Sequence, residues 1–170
     1  YELPFGRGKR FVNIGGIPNA LVGGWQLGSI ITLQTGFPVT VVSGADISNT
    51  AIGTDRPNAT GAAVAIPRGQ QDPELFFNTG AFVLQPAGTL GNVGRNTLVG
   101  PGIMNWDFST LKDFRIREGQ ELQFRFEAFN VSNHPNRGLP DAARSSPGFG
   151  KVRITRTDMR DLQFGLKFVF

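Results

Sequence analysis

Asp161-Leu162-Gln163-Phe164-Gly165-Leu166-Lys167-Phe168-Val169-Phe170 alternates in character residue by residue. Leu162, Phe164, Leu166, Phe168 and Phe170 form one face, entirely large and apolar. Asp161, Gln163, Gly165, Lys167 and Val169 form the other, mostly polar or small. Successive side chains of a strand point to opposite sides, so this period of two predicts a strand over 160–170.

The same test applied upstream predicts three more strands. Over 120–132, Leu122, Phe124, Phe126 and Ala128 alternate with Glu121, Gln123, Arg125 and Glu127. Over 104–116, Trp106, Phe108, Thr110, Lys112, Phe114 and Ile116 alternate with Asn105, Asp107, Ser109, Leu111, Asp113 and Arg115. Leu111 and Lys112 break the second pattern, and the long stem of Lys112 is expected to snorkel to an interface. Arg117-Glu118-Gly119-Gln120 joins the two runs as a tight polar turn, which makes an antiparallel hairpin. The longest run spans 24–42, where Trp25, Leu27, Ile31, Leu33, Phe37, Val39 and Val41 share a face. Pro38 removes one ladder hydrogen bond there and marks an edge, a bulge or the strand's outer end.

The apolar faces need a covering solvent or a second sheet. A sandwich would bury them, whereas a transmembrane barrel turns them to lipid. Three features favour lipid. The runs exceed the soluble norm of about 5–6 residues. Trp25, Phe37 and Trp106 sit where strand ends are expected, as in an aromatic girdle. The connections alternate in length: 6–23 and 117–120 are short, while 43–103 and 133–159 are long, Gly- and Pro-rich and weakly patterned. With Phe170 at the periplasmic end, both long connections fall outside, as in outer-membrane barrels.

The expected fold is therefore all-β, an antiparallel transmembrane barrel segment of about four long strands. Four strands cannot close a barrel, and an open edge in hydrocarbon costs several kcal/mol per unpaired group. Residues 1–170 are thus read as a single partial domain of a larger barrel. The chain begins at Tyr1 without a signal-peptide pattern, which suggests a removed leader or a piece of something longer. Two alternatives are a secreted β-sandwich binding module, with loop 43–103 holding a glycan or another surface, and a self-assembling β-rich surface protein.

Composition narrows the functions. There is no Cys and a single His, which excludes disulfide scaffolds, thiolate zinc sites and cysteine nucleophiles. No catalytic residues, cofactor or metal are expected, and the chain is read as no enzyme. No apolar stretch approaches the roughly 18 residues of a membrane helix. The net charge of +4 is dispersed, and its densest cluster is only Arg7-Gly8-Lys9-Arg10, so no nucleic-acid partner is expected.

The ending resembles the C-terminal insertion signal of bacterial outer-membrane proteins, with Phe164, Leu166, Phe168 and Phe170 as the residues that the barrel-assembly machinery would read. A wider series carries a second resemblance. It runs through Tyr1-Glu2-Leu3-Pro4-Phe5-Gly6-Arg7-Gly8-Lys9-Arg10-Phe11, Gly24-Trp25-Gln26-Leu27 and Gln34-Thr35-Gly36-Phe37-Pro38. Phe77-Asn78-Thr79-Gly80-Ala81-Phe82, then residues 91–102, then 124–135 complete it. This order resembles the C-terminal part of Oar-like TonB-dependent receptors, the type with a carboxypeptidase-regulatory-like domain. The resemblance implies a barrel of roughly 22 strands with a lumenal plug. It implies uptake of a large nutrient such as a siderophore, glycan or peptide across the bacterial outer membrane. It implies as partners the lipid, the remaining barrel and plug, and the TonB complex acting through a preceding segment.

Other motifs read plainly. Gly91-Asn92-Val93-Gly94-Arg95-Asn96 lacks the Lys-Ser/Thr of a phosphate loop and is expected to be a structured turn. His134, before Pro135, is a turn residue. Asn58-Ala59-Thr60 and Asn130-Val131-Ser132 are chance glycosylation matches. Asp107, Asp113, Arg125 and Glu127 share the polar faces and are lumen-facing candidates, either touching plug or ligand or compensating one another across strands. Asp46, Asp55, Arg56, Asp72 and Glu74 lie in the long loop, where an external substrate first touches.

Overall fold

A computed structural model describes residues 1–13, 15–51, 53–67 and 69–170. Ile52 and Arg68, both inside the long 43–103 connection, lie outside the described residues. The elements in chain order are α1 (Gly16–Val22), β1 (Trp25–Gln34), β2 (Pro38–Val39), β3 (Asn58–Ala59), a 3-10 turn at Thr79–Ala81, β4 (Phe82–Val83), β5 (Leu98–Val99), β6 (Ile103–Arg117), β7 (Gln120–Phe129) and β8 (Asp161–Val169). They fall into two compact units. One holds Tyr1–Leu33, Met104–Pro135 and Asp158–Phe170; the other holds Gln34–Ile103 and Asn136–Thr157.

The first unit is a sheet in the order β1-β6-β7-β8. β7 pairs antiparallel with both neighbours. Phe126 lies opposite Thr110 on one side and Phe164 on the other; Arg125 lies opposite Leu111 and Gly165. This register carries the period of two across three strands. Even-numbered residues of β6, β7 and β8 make one face, and odd-numbered residues make the other. Tyr1–Leu3 adds a short fifth segment along the outer edge of β1, with Leu3 and Leu27 amides donating to the Trp25 and Tyr1 carbonyls at 2.8 Å.

Along β8 the even face stays open. Phe164 is 71% exposed and Leu166 is 72% exposed, with Leu162 and Phe168 about half exposed. A second sheet packed on that face would bury them, so the sandwich alternative fails here. No helix of the described residues is long and apolar enough to cross a membrane. The chain instead brings an antiparallel sheet with one continuous apolar face.

Strand bounds differ from the sequence expectation by more than a residue at either end in two strands. The run over 24–42 stops as a strand at Gln34. A Cβ added at Gly36 would lie 1.7 Å from the Gly100 carbonyl oxygen, so two backbones meet there and the chain turns aside. Pro38–Val39 then pairs with Leu98–Val99 instead of extending the sheet. The run over 120–132 ends at Phe129, because Asn130 takes a positive φ of 47° and starts a turn.

The second unit gives the long connections a core of their own. Val41, Phe76, Phe77, Ala81, Phe82, Val93, Leu98 and Val152 are buried together. Phe77, Phe82 and Phe149 meet edge to face, with centroids 5.1–6.0 Å apart. That geometry aligns ring edges with ring faces and adds to the area they bury. Short pairings brace the core: β2 with β5, β3 with β4, and a parallel bridge from Val42 to Ala143. Inside it, the Ser43 hydroxyl donates to Gln85 Oε1 at 2.8 Å. In these weakly patterned connections, sequence-distant residues converge where local periodicity is absent.

Candidate functional site

The odd face of the sheet gathers the polar residues. Across β6, β7 and β8 the rows read Ser109–Glu127–Gln163, Leu111–Arg125–Gly165 and Asp113–Gln123–Lys167. Arg125 Nη2 reaches Glu127 Oε1 at 2.6 Å along β7. Gln123 Nε2 donates to Asp113 Oδ1 at 2.9 Å, and Arg115 Nε to Glu121 Oε1 at 3.2 Å, both between strands. Three of the four lumen-facing candidates, Asp113, Arg125 and Glu127, are thus engaged with neighbours on their own face.

A recess of about 410 Å³ opens on this face, lined by Tyr1, Gln26, Gly28, Ser109, Arg125 and Glu127 among others. Its floor depends on Gly28: a Cβ there would lie 2.5 Å from Ser109 Oγ. The absence of a side chain lets β1 approach β6 and hollows the surface. The recess offers a guanidinium, a carboxylate, an amide and hydroxyls, which suit hydrogen bonding to a polar partner.

Asp107 has a different position. Its Oδ1 accepts from Asn105 Nδ2 at 2.8 Å and from the Asn130 amide at 2.9 Å. Asn130 is only 4% exposed. Its side chain donates to the His134 and Asp158 carbonyls and accepts from the His134 amide. Asp107 therefore holds the turn that ends β7. Burial of Asn130 also removes it as a glycan acceptor. Sequence reasoning missed this hub, although Asn at 130 and 133 signalled left-handed turn positions.

Trp25 and Trp106 lie on the even face, which β1 joins through its odd-numbered residues. Trp25 Nε1 donates to the Leu21 carbonyl at 2.9 Å, and its ring meets Phe124 edge-on at 6.1 Å. Trp106 Nε1 donates to Ser29 Oγ at 2.8 Å. Phe37 lies beyond the end of β1, in the other unit, with the Arg156 guanidinium 4.6 Å above its ring. It therefore stands off the strand on which the sequence pattern had set it. Phe170 stacks on Phe168 at 6.0 Å, just past β8. Lys112 does not reach out to an interface. It is 2% exposed, lies against the Trp25 and Phe114 rings, and donates to the Gly23 carbonyl.

In the second unit Asp46 and Asp55 are held by local bonds and Glu74 by a distant lysine. The Asp46 carboxylate accepts from the Ala51 amide at 2.7 Å and the Thr50 amide at 3.1 Å. These N–H donors, Ala51 first, hold its pKa below the ordinary carboxylate value. Glu74 is lowered by the hydrogen bond from Lys151 Nζ at 2.5 Å. Asp55 accepts from the Ser48 amide and hydroxyl, and Arg56 donates to the Val93 carbonyl at 2.7 Å. Asn92 bonds reciprocally with residues 58–59, and the turn within the 91–96 stretch falls at Arg95–Asn96.

An amphipathic antiparallel sheet with an open apolar face defines a class: a β-barrel membrane protein. Residues 1–163 match the family described as outer membrane beta barrel domain, and the chain belongs to that family. Its place is the bacterial outer membrane. No curated protein and no solved structure matches the chain.

Proposed function

We propose that this chain is the C-terminal barrel portion of a TonB-dependent transporter of the Oar-like type, importing a large nutrient such as a siderophore, glycan or peptide. The observation that supports this best is the polar face, where Arg125, Glu127, Ser109 and Gln26 border a recess on the side a barrel turns to its lumen. Wide barrels keep that side polar, for water or for a plug. The motif series over residues 1–135 supports the finer assignment. On this reading the protein moves its ligand without making or breaking bonds in it. A plug meets the polar face, TonB acts through a segment preceding the barrel, and the barrel-assembly machinery reads Phe164, Leu166, Phe168 and Phe170.

The test is uptake of candidate labelled nutrients by cells producing the intact protein, with and without a working TonB. The expected result is uptake that disappears without TonB while surface display holds. Uptake that persists without TonB would refute the assignment.

A further inference from the structure

We propose that α1, with the basic loop before it, is an interfacial anchor that lies in the phospholipid headgroups of the periplasmic leaflet. The proposal rests on the reading of the even face as lipid-facing and Phe170 as periplasmic. Four observations converge on it.

The first is that α1 has only seven residues and none of them is buried. Helices below about 12–15 residues are marginal in water without a partner. The second is its inverted polarity. Asn19 is its only half-buried residue. Asn19 Oδ1 accepts from the Arg7 amide at 2.5 Å, and its carbonyl accepts from the Gly23 amide at 2.9 Å. Ile17 and Leu21, one turn apart, point away and are 79% and 62% exposed. A helix that spends its polar group inward and its apolar groups outward suits an apolar neighbour.

The third observation is continuity. The helix is fastened to the sheet by two even-face side chains: Trp25 Nε1 donates to the Leu21 carbonyl, and Lys112 Nζ donates to the Gly23 carbonyl. The apolar side of α1 therefore extends the apolar face of the sheet at one end of its strands. The fourth is charge. Arg7, Lys9 and Arg10 are exposed beside the helix, and among the described residues Lys9 alone of the three meets an acid, Glu2 at 2.9 Å. Phe11 and Val12 follow them, about half exposed. Basic residues next to an outward apolar helix match the boundary between phosphate headgroups and acyl chains.

The chain has no Cys, so in the intact protein, with any Cys elsewhere replaced, single-cysteine fluorophores report specific positions. The assembled barrel is reconstituted in phosphatidylethanolamine–phosphatidylglycerol vesicles carrying nitroxide lipids. Leu21→Cys, Phe164→Cys and Gln163→Cys are labelled in turn. A nitroxide near the headgroup should quench the Leu21 label about twofold or more, a deeper one the Phe164 label, and neither the Gln163 label. Arg7→Gln with Arg10→Gln should weaken quenching at Leu21 and leave Phe164 unchanged. A Leu21 label reached only by a water-soluble quencher overturns the proposal. One shielded from both quenchers also overturns it, because a protein then covers the helix. A Phe164 label silent to lipid nitroxides would instead break the lipid-facing reading, and the anchor with it.

Discussion

Phe77 and Phe164 are the same residue under opposite rules. Phe77 is fully buried among Phe82, Phe149 and Val41, in a unit assembled from connections between strands. Phe164 stands open on β8, beside Phe126 at 4.9 Å, where the apolar face of the sheet has no cover. In the first unit, hydrogen bonding between strands holds the backbone and the apolar groups are left for the surroundings. In the second, apolar groups hold one another and the backbone follows. One chain thus solves the same transfer problem twice, once with lipid as the apolar phase and once with itself.

The contrast can be broken by mutation. Phe77→Ala should cost about 3–5 kcal/mol in the second unit, because it empties a packed site. Limited proteolysis should then cut within 43–103, while amide protection of β6, β7 and β8 stays. Equal loss in both regions would show that the two units do not unfold separately. Phe124→Arg should cost about 2–4 kcal/mol of folding free energy into vesicles, since it sets a charge on the lipid face. A negligible change would reassign that face. Phe170→Ala should lower the amount of the intact protein in the outer membrane, measured by surface labelling; unchanged levels would remove Phe170 from the insertion signal.

Two smaller effects sharpen the comparison. Glu127→Gln should change folding stability by about 1 kcal/mol or less, because its partner Arg125 is largely solvent-exposed. A larger loss in vesicles would mean that the polar face is drier than a lumen. The Asp46 loop should respond to acid alone. Its carboxyl has a lowered pKa when folded, so its stabilising contribution is full above the ordinary unfolded value. That contribution falls away as pH drops through the folded value. The protection of the Ala51 amide, measured against the intrinsic exchange rate at each pH, should therefore fall in acid, and Asp46→Asn should flatten the response.

The strands β6, β7 and β8 were legible because a period of two survives wherever one face is apolar. The 117–120 turn was legible for its Gly. The boundary of β1 was not, since the alternation continues through Phe37, Val39 and Val41 after the chain has left the sheet. Val39 and Val41 face the core of the second unit, and an apolar pattern alone does not say which apolar phase it serves. That core was hidden for a related reason. Phe76, Phe82, Val93 and Val152 meet across long separations, and no local period announces them. α1 was hidden by its length and flanking glycines. Of the lumen-facing candidates, the common face of Asp113, Arg125 and Glu127 followed from parity, whereas the capping role of Asp107 needed the turn at Asn130.

The folded second unit has a kinetic corollary. Backbone ordering costs about 1–2 kcal/mol per residue, and a floppy loop meets that cost when it grips something. Here the ordering is completed during folding, by Phe77, Phe82 and Phe149. A molecule arriving at this surface meets a shape already set, so encounter need not wait for rearrangement and little of its binding energy is diverted to ordering loops.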